Sequence, residues 1–205
     1  MPEVPPAHPP DPELRREQQH LAESRRQLAR MRERTESMDA GAAADWVSRQ
    51  FLESTFALRM KQLADDPTVP LFFGRLDYGS GEHVDESFHI GRRHVTGPDG
   101  DALVVDWRAP VSTPFYRASS AEPMGVDLRR RYGFARGELT GFEDEPLTGG
   151  GGPEHSAILE AEIERPRVGP MRDIVATIQP EQDVIVRADL ARSICVQGAP
   201  GTGKT

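Results

Sequence analysis

LFFGRLDYG, residues Leu71 to Gly79, is where the chain changes its period. Before it, apolar residues return at helical spacings; from it onward they alternate with polar ones. ESFHIGRRHVTG, ALVVDWRAPVSTPFYR and GVDLRRRYGFARGELTGFEDE carry the alternation on, broken by turn signals such as Gly97-Pro98-Asp99-Gly100. The pattern predicts a β-rich region over residues 67–148, a small antiparallel sheet or barrel of about five strands. Within it Trp107 reads as core, with Asp106 and Arg108 as a structural pair across the sheet. Arg129, Arg130 and Arg131 read as a solvated turn or strand edge rather than a phosphate grip. His83, His89 and His94 come without a cysteine or carboxylate set, so no metal site is expected from them.

Upstream, residues 1–10, MPEVPPAHPP, hold too much proline to pack and are expected to be disordered. Asp11 before Pro12 is an N-cap with proline at the first helical position. Leu14, Leu21 and Leu28 then recur every seven residues, joined by Met31, Ala22 and Ala29. After Gly41, Trp46, Val47, Phe51, Leu52, Phe56, Met60 and Leu63 fall largely on one helical face. Residues 11–66 are therefore expected to form an antiparallel helical hairpin, a coiled coil with about 24 residues and about 35 Å per arm. It either protrudes as an arm or packs on the body.

Downstream, residues 149–170 read as a Gly-rich linker with a short acidic helix over Ala157 to Glu164. Ile174, Val175 and Ile178 suit one short helix, and Pro180 starts another. Ser193 to Val196 is an apolar run that fits a buried parallel strand. The chain then reads GAPGTGKT, Gly198 to Thr205, the spacing G-x-x-x-x-G-K-[ST] of a phosphate-binding loop. Its glycines let backbone N–H groups wrap a phosphate, Lys204 adds a charge at the β/γ phosphates and Thr205 would ligate Mg²⁺. Gln182, sixteen residues before Gly198, has an amide that can pair with adenine N6 and N7 together. Residues 171–205 are thus expected to open a RecA-like α/β P-loop motor domain. Its ATP-binding set is Gln182, Gly198, Ala199, Pro200, Gly201, Thr202, Gly203, Lys204 and Thr205, with ATP and Mg²⁺ as cofactors.

Composition bounds what this chain can do. It has 205 residues, 37% of them hydrophobic, and a net charge of -8. An acidic balance does not advertise a nucleic-acid partner over the whole surface. Charge is uneven, with Arg15, Arg16, Arg25, Arg26, Arg30, Arg32 and Arg34 crowding the first helix and acids filling Glu138 to Glu164. A single cysteine, Cys195, placed in the expected core strand, fits a reducing compartment. No apolar run approaches the ~18 residues of a membrane span, so the expected location is cytoplasmic. The second half of a motor domain would lie beyond Thr205, so the chain is expected to be the N-terminal piece of a larger protein and not to turn over ATP by itself.

IQPEQ followed by VQGAPGTGKT resembles the Q motif and motif I of superfamily 1 helicases of the UvrD-like kind. MRDIVATIQPEQDVIV, FFGRLDYG, IGRRHV and VVDWRAPVSTPFYR are similar to the HelD-type branch, and together these stretches span most of residues 70–205. The resemblance implies an α+β fragment of an ATPase that binds bacterial RNA polymerase, inserting its helical hairpin toward the secondary channel to release or recycle stalled polymerase. It also implies rifamycin protection in some actinobacterial relatives, DNA contacts through downstream domains and no membrane association. The hairpin tip, Met38 to Ala42, carries no dense acidic cluster. Two other classes stay open on the residues: a DNA-unwinding enzyme, and a non-catalytic protein-interaction module.

Overall fold

The computed structural model describes residues 11–38, 45–149, 156–164, 175–189, 191 and 193–197. It is an α+β arrangement of one long helix on a six-stranded mixed sheet. The strands are β1 Phe72–Tyr78, β2 Ser87–Gly91, β3 Val95–Thr96, β4 Ala102–Asp106, β5 Val126–Ala135 and β6 Glu138–Pro146, in the order β3-β4-β2-β1-β5-β6. All neighbours are antiparallel except β2 and β4, which run parallel through Ile90↔Val105 and Gly91↔Asp106. The sheet is therefore open and mixed, where alternation alone predicted about five antiparallel strands. Alternation reports which residues face a core; it does not report strand direction.

The central strand shows why LFFGRLDYG is decisive. A register shift between Phe72 and Gly74 turns the pleat, as a bulge does. Phe72 faces one core with Leu21, Leu28, Val95, Val104, Tyr132 and Phe134, while Phe73 faces the other with Phe115, Trp107 and Tyr116. Gly74 has no alternative: a Cβ there would sit 2.0 Å from Phe115 Cε2. Trp107 is core, 7% exposed. Asp106 and Arg108 do pair, at 3.3 Å, but two residues apart at an exposed turn and not across the sheet.

Helix α1, Pro12–Glu36, is capped by Asp11, whose Oδ1 accepts the Glu13 N–H at 2.9 Å. Its heptad stripe lies on the sheet, Leu21 and Leu28 being buried against Phe72, Val95 and Val104. The sequence pairs that stripe with the second helix, but the sheet offers the larger apolar surface. Helix α2, Trp46–Gln62, has no buried residue. Leu52, Phe56 and Met60 are half-covered and Leu63, just past its end, is buried, whereas Trp46 and Phe51 are both 71% exposed and Val47 59%. Along its described length α2 buries no side chain in a seam with α1. Arg25 instead ties α1 to the chain leaving α2, reaching Asp65 Oδ2 at 2.6 Å and Val69 O at 3.0 Å.

Beneath α1 lies a buried ionic node. Glu17 is 3% exposed; its carboxylate accepts from Arg75 Nη1 at 2.5 Å, Arg130 Nη1 at 2.9 Å and His89 Nε2 at 2.8 Å. Arg130, 1% exposed, also makes a bidentate pair with Asp144 at 2.6 Å on each arm, reaches Glu13 at 2.9 Å and stacks 3.8 Å over the Phe142 ring. Arg75 is held in turn by Asp77. His20 stacks on His89 at 3.8 Å and bonds Leu103 O at 2.8 Å. The Tyr132 hydroxyl lies toward the same carboxylate without completing a hydrogen bond.

The arginine triplet expected at a solvated edge is therefore internal. Pleating sends Arg130 to α1 and its neighbours to the opposite face. Arg129, 7% exposed, bonds Phe115 O and Ala118 O, both at 3.0 Å, and Glu145 at 2.6 Å. Arg131 pairs with the other oxygen of Glu145 at 2.6 Å and lies 5.5 Å from the Phe115 ring.

The node makes stability depend on pH. Burial depresses His89 from 6.5 to about 4, outweighing its hydrogen bond to Glu17. Burial alone would raise the Glu17 carboxyl, but the bond and charge of His89 and the charge of Arg75 hold it at about 2. Both groups thus bind fewer protons folded than unfolded, so stability rises with pH. The His89 contribution is lost as pH falls from 6.5 to about 4, and that of Glu17 from 4.5 to about 2. Urea midpoints measured from pH 7.5 to 3.5 are expected to fall steadily, and His89→Gln is expected to flatten the upper part of that slope. An unchanged slope in the variant would remove His89 from the account.

Candidate functional site

The sequence places a nucleotide site at Gln182 and at residues 198–205, and the latter lie outside the described residues. Gln182 is in helix α5, Pro180–Val186, with proline at its first position and Gln179 at the N-cap. Three residues into a helix, a glutamine can reach back to the cap and satisfy an orphan backbone donor. Gln182 Oε1 does so, accepting the Gln179 N–H at 3.1 Å. The residue is exposed, and this bond uses one lone pair of its carbonyl oxygen. In the structure the role of this side chain is the helix cap.

What fixes this helix is its next residue. Asp183 is fully buried, and its two oxygens are taken by different arginines, Oδ2 by Arg117 Nε at 2.6 Å and Oδ1 by Arg187 Nε at 2.7 Å. Arg187 goes on to donate to Trp107 O at 2.5 Å and Arg108 O at 3.0 Å. Its guanidinium stands 5.8 Å from the Trp107 ring and 5.7 Å from that of Tyr116. Tyr116 donates its hydroxyl to Val175 O at 2.9 Å, and burial pushes that hydroxyl well above the usual phenol range. Asp183 thus clamps α5 to the platform made by DWRAPVSTPFYR, which folds as a 3-10 turn, Pro110–Ser112, and the short helix α3, Pro114–Arg117.

Around the clamp, several expectations change. Of the short helix expected around Ile174, Val175 and Ile178, Ile174 lies outside the described residues, and Val175 to Ile178 is a turn packed on the Trp107 core. Ser193 to Val196 is exposed and in no sheet, so Cys195 is exposed rather than in a core strand. A strand needs a partner for its backbone groups, and no described strand lies beside this one. Helix α4, Ala157–Glu164, docks on β5 through Ile158, which packs over Gly133. His83 bonds Glu86, His89 bonds Glu17 and His94 is exposed. Among the described residues no group of His, Cys, Asp or Glu could hold a metal ion, and no helix is long and apolar enough to cross a membrane.

The sequence does not single out Asp183, although its spacing to Arg187 is the i,i+4 pair of a helix. Arg117 offers no local signal, being 66 residues away.

Residues 14–159 match the family model of the DNA helicase IV HelD N-terminal domain. No curated protein matches the chain. The matched span runs from α1 into α4, so the α5 clamp ties the matched domain to the chain on its C-terminal side.

The clamp is testable by fluorescence. The chain has two tryptophans, and the exposed Trp46 can be replaced by phenylalanine to leave Trp107 as sole emitter. Asp183→Ala strands two arginines against the platform. Breaking a buried pair costs about 3–5 kcal/mol, and solvent reaching Arg117 and Arg187 reduces that to about 2 kcal/mol here. Trp107 emission is expected to shift to the red and trypsin to cut faster after Arg187, with the sheet still folded. Unchanged emission and cleavage would show that α5 is held by something else.

Proposed function

Since this chain belongs to the family of HelD N-terminal domains, we propose that it is the N-terminal part of a helicase-related, UvrD-like ATPase that binds bacterial RNA polymerase and uses ATP to release or recycle it when stalled. Two features support the ATPase part. The octet Gly198 to Thr205 carries the phosphate-loop spacing, and Gln182 is exposed on α5. Gln182 would read adenine, Gly198 to Gly203 would wrap phosphate, Lys204 would neutralise it and Thr205 would ligate Mg²⁺. ATP bound there supplies the free energy of phosphoryl transfer, and the residues of this chain orient and neutralise it. Exposed Val184, Ile185, Val186, Ile194 and Val196, each 43–55% exposed, are the surface that the rest of a motor domain would cover.

The observation that carries the polymerase part is the bare side of α2. Trp46, Val47 and Phe51 stand on a helix that the sheet does not need for its own core, the enrichment expected of an interaction face. The same surface favours the second reading, a docking module without catalysis.

Two measurements separate the readings. The 205-residue chain, immobilised, is expected to retain purified bacterial RNA polymerase core. Trp46→Ser with Phe51→Ser is expected to weaken retention at least about tenfold, the loss of roughly 1.4 kcal/mol, without changing the circular dichroism. Failure to bind polymerase would remove that partner and leave the ATPase assignment standing. In the full-length parent, Gln182→Ala is expected to erode the preference for ATP over GTP by about five- to a hundredfold, as loss of a bidentate base contact implies. An unchanged preference would remove Gln182 from adenine recognition.

A further inference from the structure

Far from α5 along the chain, three turns enclose an open cleft of about 470 Å³ at the end of the sheet. The β1–β2 turn contributes Tyr78, Ser80, Gly81, Glu82 and His83; the other walls are Pro110 with Val111, and Met124 with Gly125. The walls are built into the fold. Tyr78 donates its hydroxyl to Val111 O at 2.8 Å, Gly125 O accepts the N–H groups of Gly79 and Ser80 at 3.0 and 3.2 Å, and Asp85 N donates to Tyr78 O at 2.9 Å. A side chain at Gly125 would meet Ser80 O at 2.9 Å, and its φ of +84° favours glycine in any case.

The chemistry of the cleft is of one sign. Tyr78, His83 and Phe88 form a mutually edge-on ring cluster, with centroids 5.3–5.9 Å apart. Glu82 is the only formally charged residue lining the cleft. The two acidic turns, 79–86 and 119–127, carry Glu82, Asp85, Glu86, Glu122 and Asp127 and not one lysine or arginine. None of the five is ion-paired to a lysine or arginine in the described structure; Glu86 bonds His83 and Asp127 bonds Thr148. Two apolar side chains stand out at this end, Met124 at 40% and Val84 at 50% exposed. Met124 and Asp85 both hold left-handed backbone, at φ 54° and 63°, a conformation that costs a side-chain-bearing residue free energy and clusters at functional sites.

We propose that this cleft docks a basic segment of a partner protein, taking one arginine or lysine side chain against Tyr78, His83 and Glu82, with the flanking apolar residues of that segment covering Met124 and Val84. An aromatic wall beside a carboxylate attracts a cation. An exposed methionine adapts to varied apolar partners. The cleft is open on its outer side, so a small free cation would keep much of its surface in water, whereas a side chain carried on a peptide also covers the lips. Nucleic acid is repelled by five unneutralised carboxylates.

The test uses the whole 205-residue chain with its six methionines methyl-labelled, the Met124 signal being identified by its loss in Met124→Leu. The probe is the octapeptide acetyl-Ala-Leu-Pro-Arg-Leu-Arg-Leu-Ala-amide. The Met124 methyl resonance is expected to shift saturably with a Kd of about 1 mM or tighter. Citrulline in place of both arginines, or Glu82→Gln in the exposed turn, is expected to weaken binding about two- to fivefold. The proposal is overturned if Met124 shows no saturable shift, or if neither the citrulline peptide nor Glu82→Gln weakens it. It is equally overturned if arginine methyl ester binds as tightly as the peptide, which would make the cleft a small-cation site, or if oligothymidine shifts Met124.

Discussion

A carboxylate shut under a helix among two guanidiniums and a neutral imidazole is the constraint on which the rest of this structure depends. Glu17 is on α1, Arg75 on the central strand, His89 on its neighbour to one side and Arg130 on its neighbour to the other. One side chain therefore fixes the helix across three strands. Burying such charges is expensive, and their attraction offsets the cost only if every lone pair and N–H finds a partner. Here the outer rim of Asp77, Asp144 and Glu13 engages the remaining guanidinium nitrogens of Arg75 and Arg130. The apolar contacts of Leu21 and Leu28 supply affinity between helix and sheet. The node supplies register, because a hydrophobic stripe could slide by a turn and an ion pair could not.

The same logic recurs on the opposite face. Asp183, with no exposed surface, draws Arg117 and Arg187 inward, and Arg187 directs its remaining donors to the carbonyls of Trp107 and Arg108. Both faces of the sheet are thus closed by a buried acid on a helix, met by arginines from elsewhere. A chain with 33 acidic and 25 basic residues keeps part of that charge internal, which is why net charge alone said little about its partners.

Much of the architecture was legible because burial leaves a period. The change of period at Leu71, the N-cap at Asp11, Pro12 and Pro180 at helix starts, and Trp107 in the core are all local signals that the structure bears directly. What was not legible depends on partners remote in sequence. Arg130 meets Glu17 across 113 residues, so three successive arginines read as solvent-facing when each is paired. Parallel pairing of β2 with β4 has no signature in five-residue strands. The heptad on α1 was correctly apolar, but a heptad does not name its partner, and the sheet outcompetes α2. At the candidate nucleotide site, Gln182 was marked by its spacing to the glycine loop, whereas Asp183, which holds the helix, was invisible beside it.

Strand β5 has a mechanical role. Because pleating points Arg130 to one side and Arg129 and Arg131 to the other, a single stretch of backbone is riveted to α1 above and, through the carbonyls of α3, to the seat of α5 below. The layers on the two sides of the sheet share this one strand as an anchor. Hydrogen bonds of three guanidiniums, those of Arg130, Arg129 and Arg117, thus link the long helix to the short one on the far side by way of one strand and the backbone of α3.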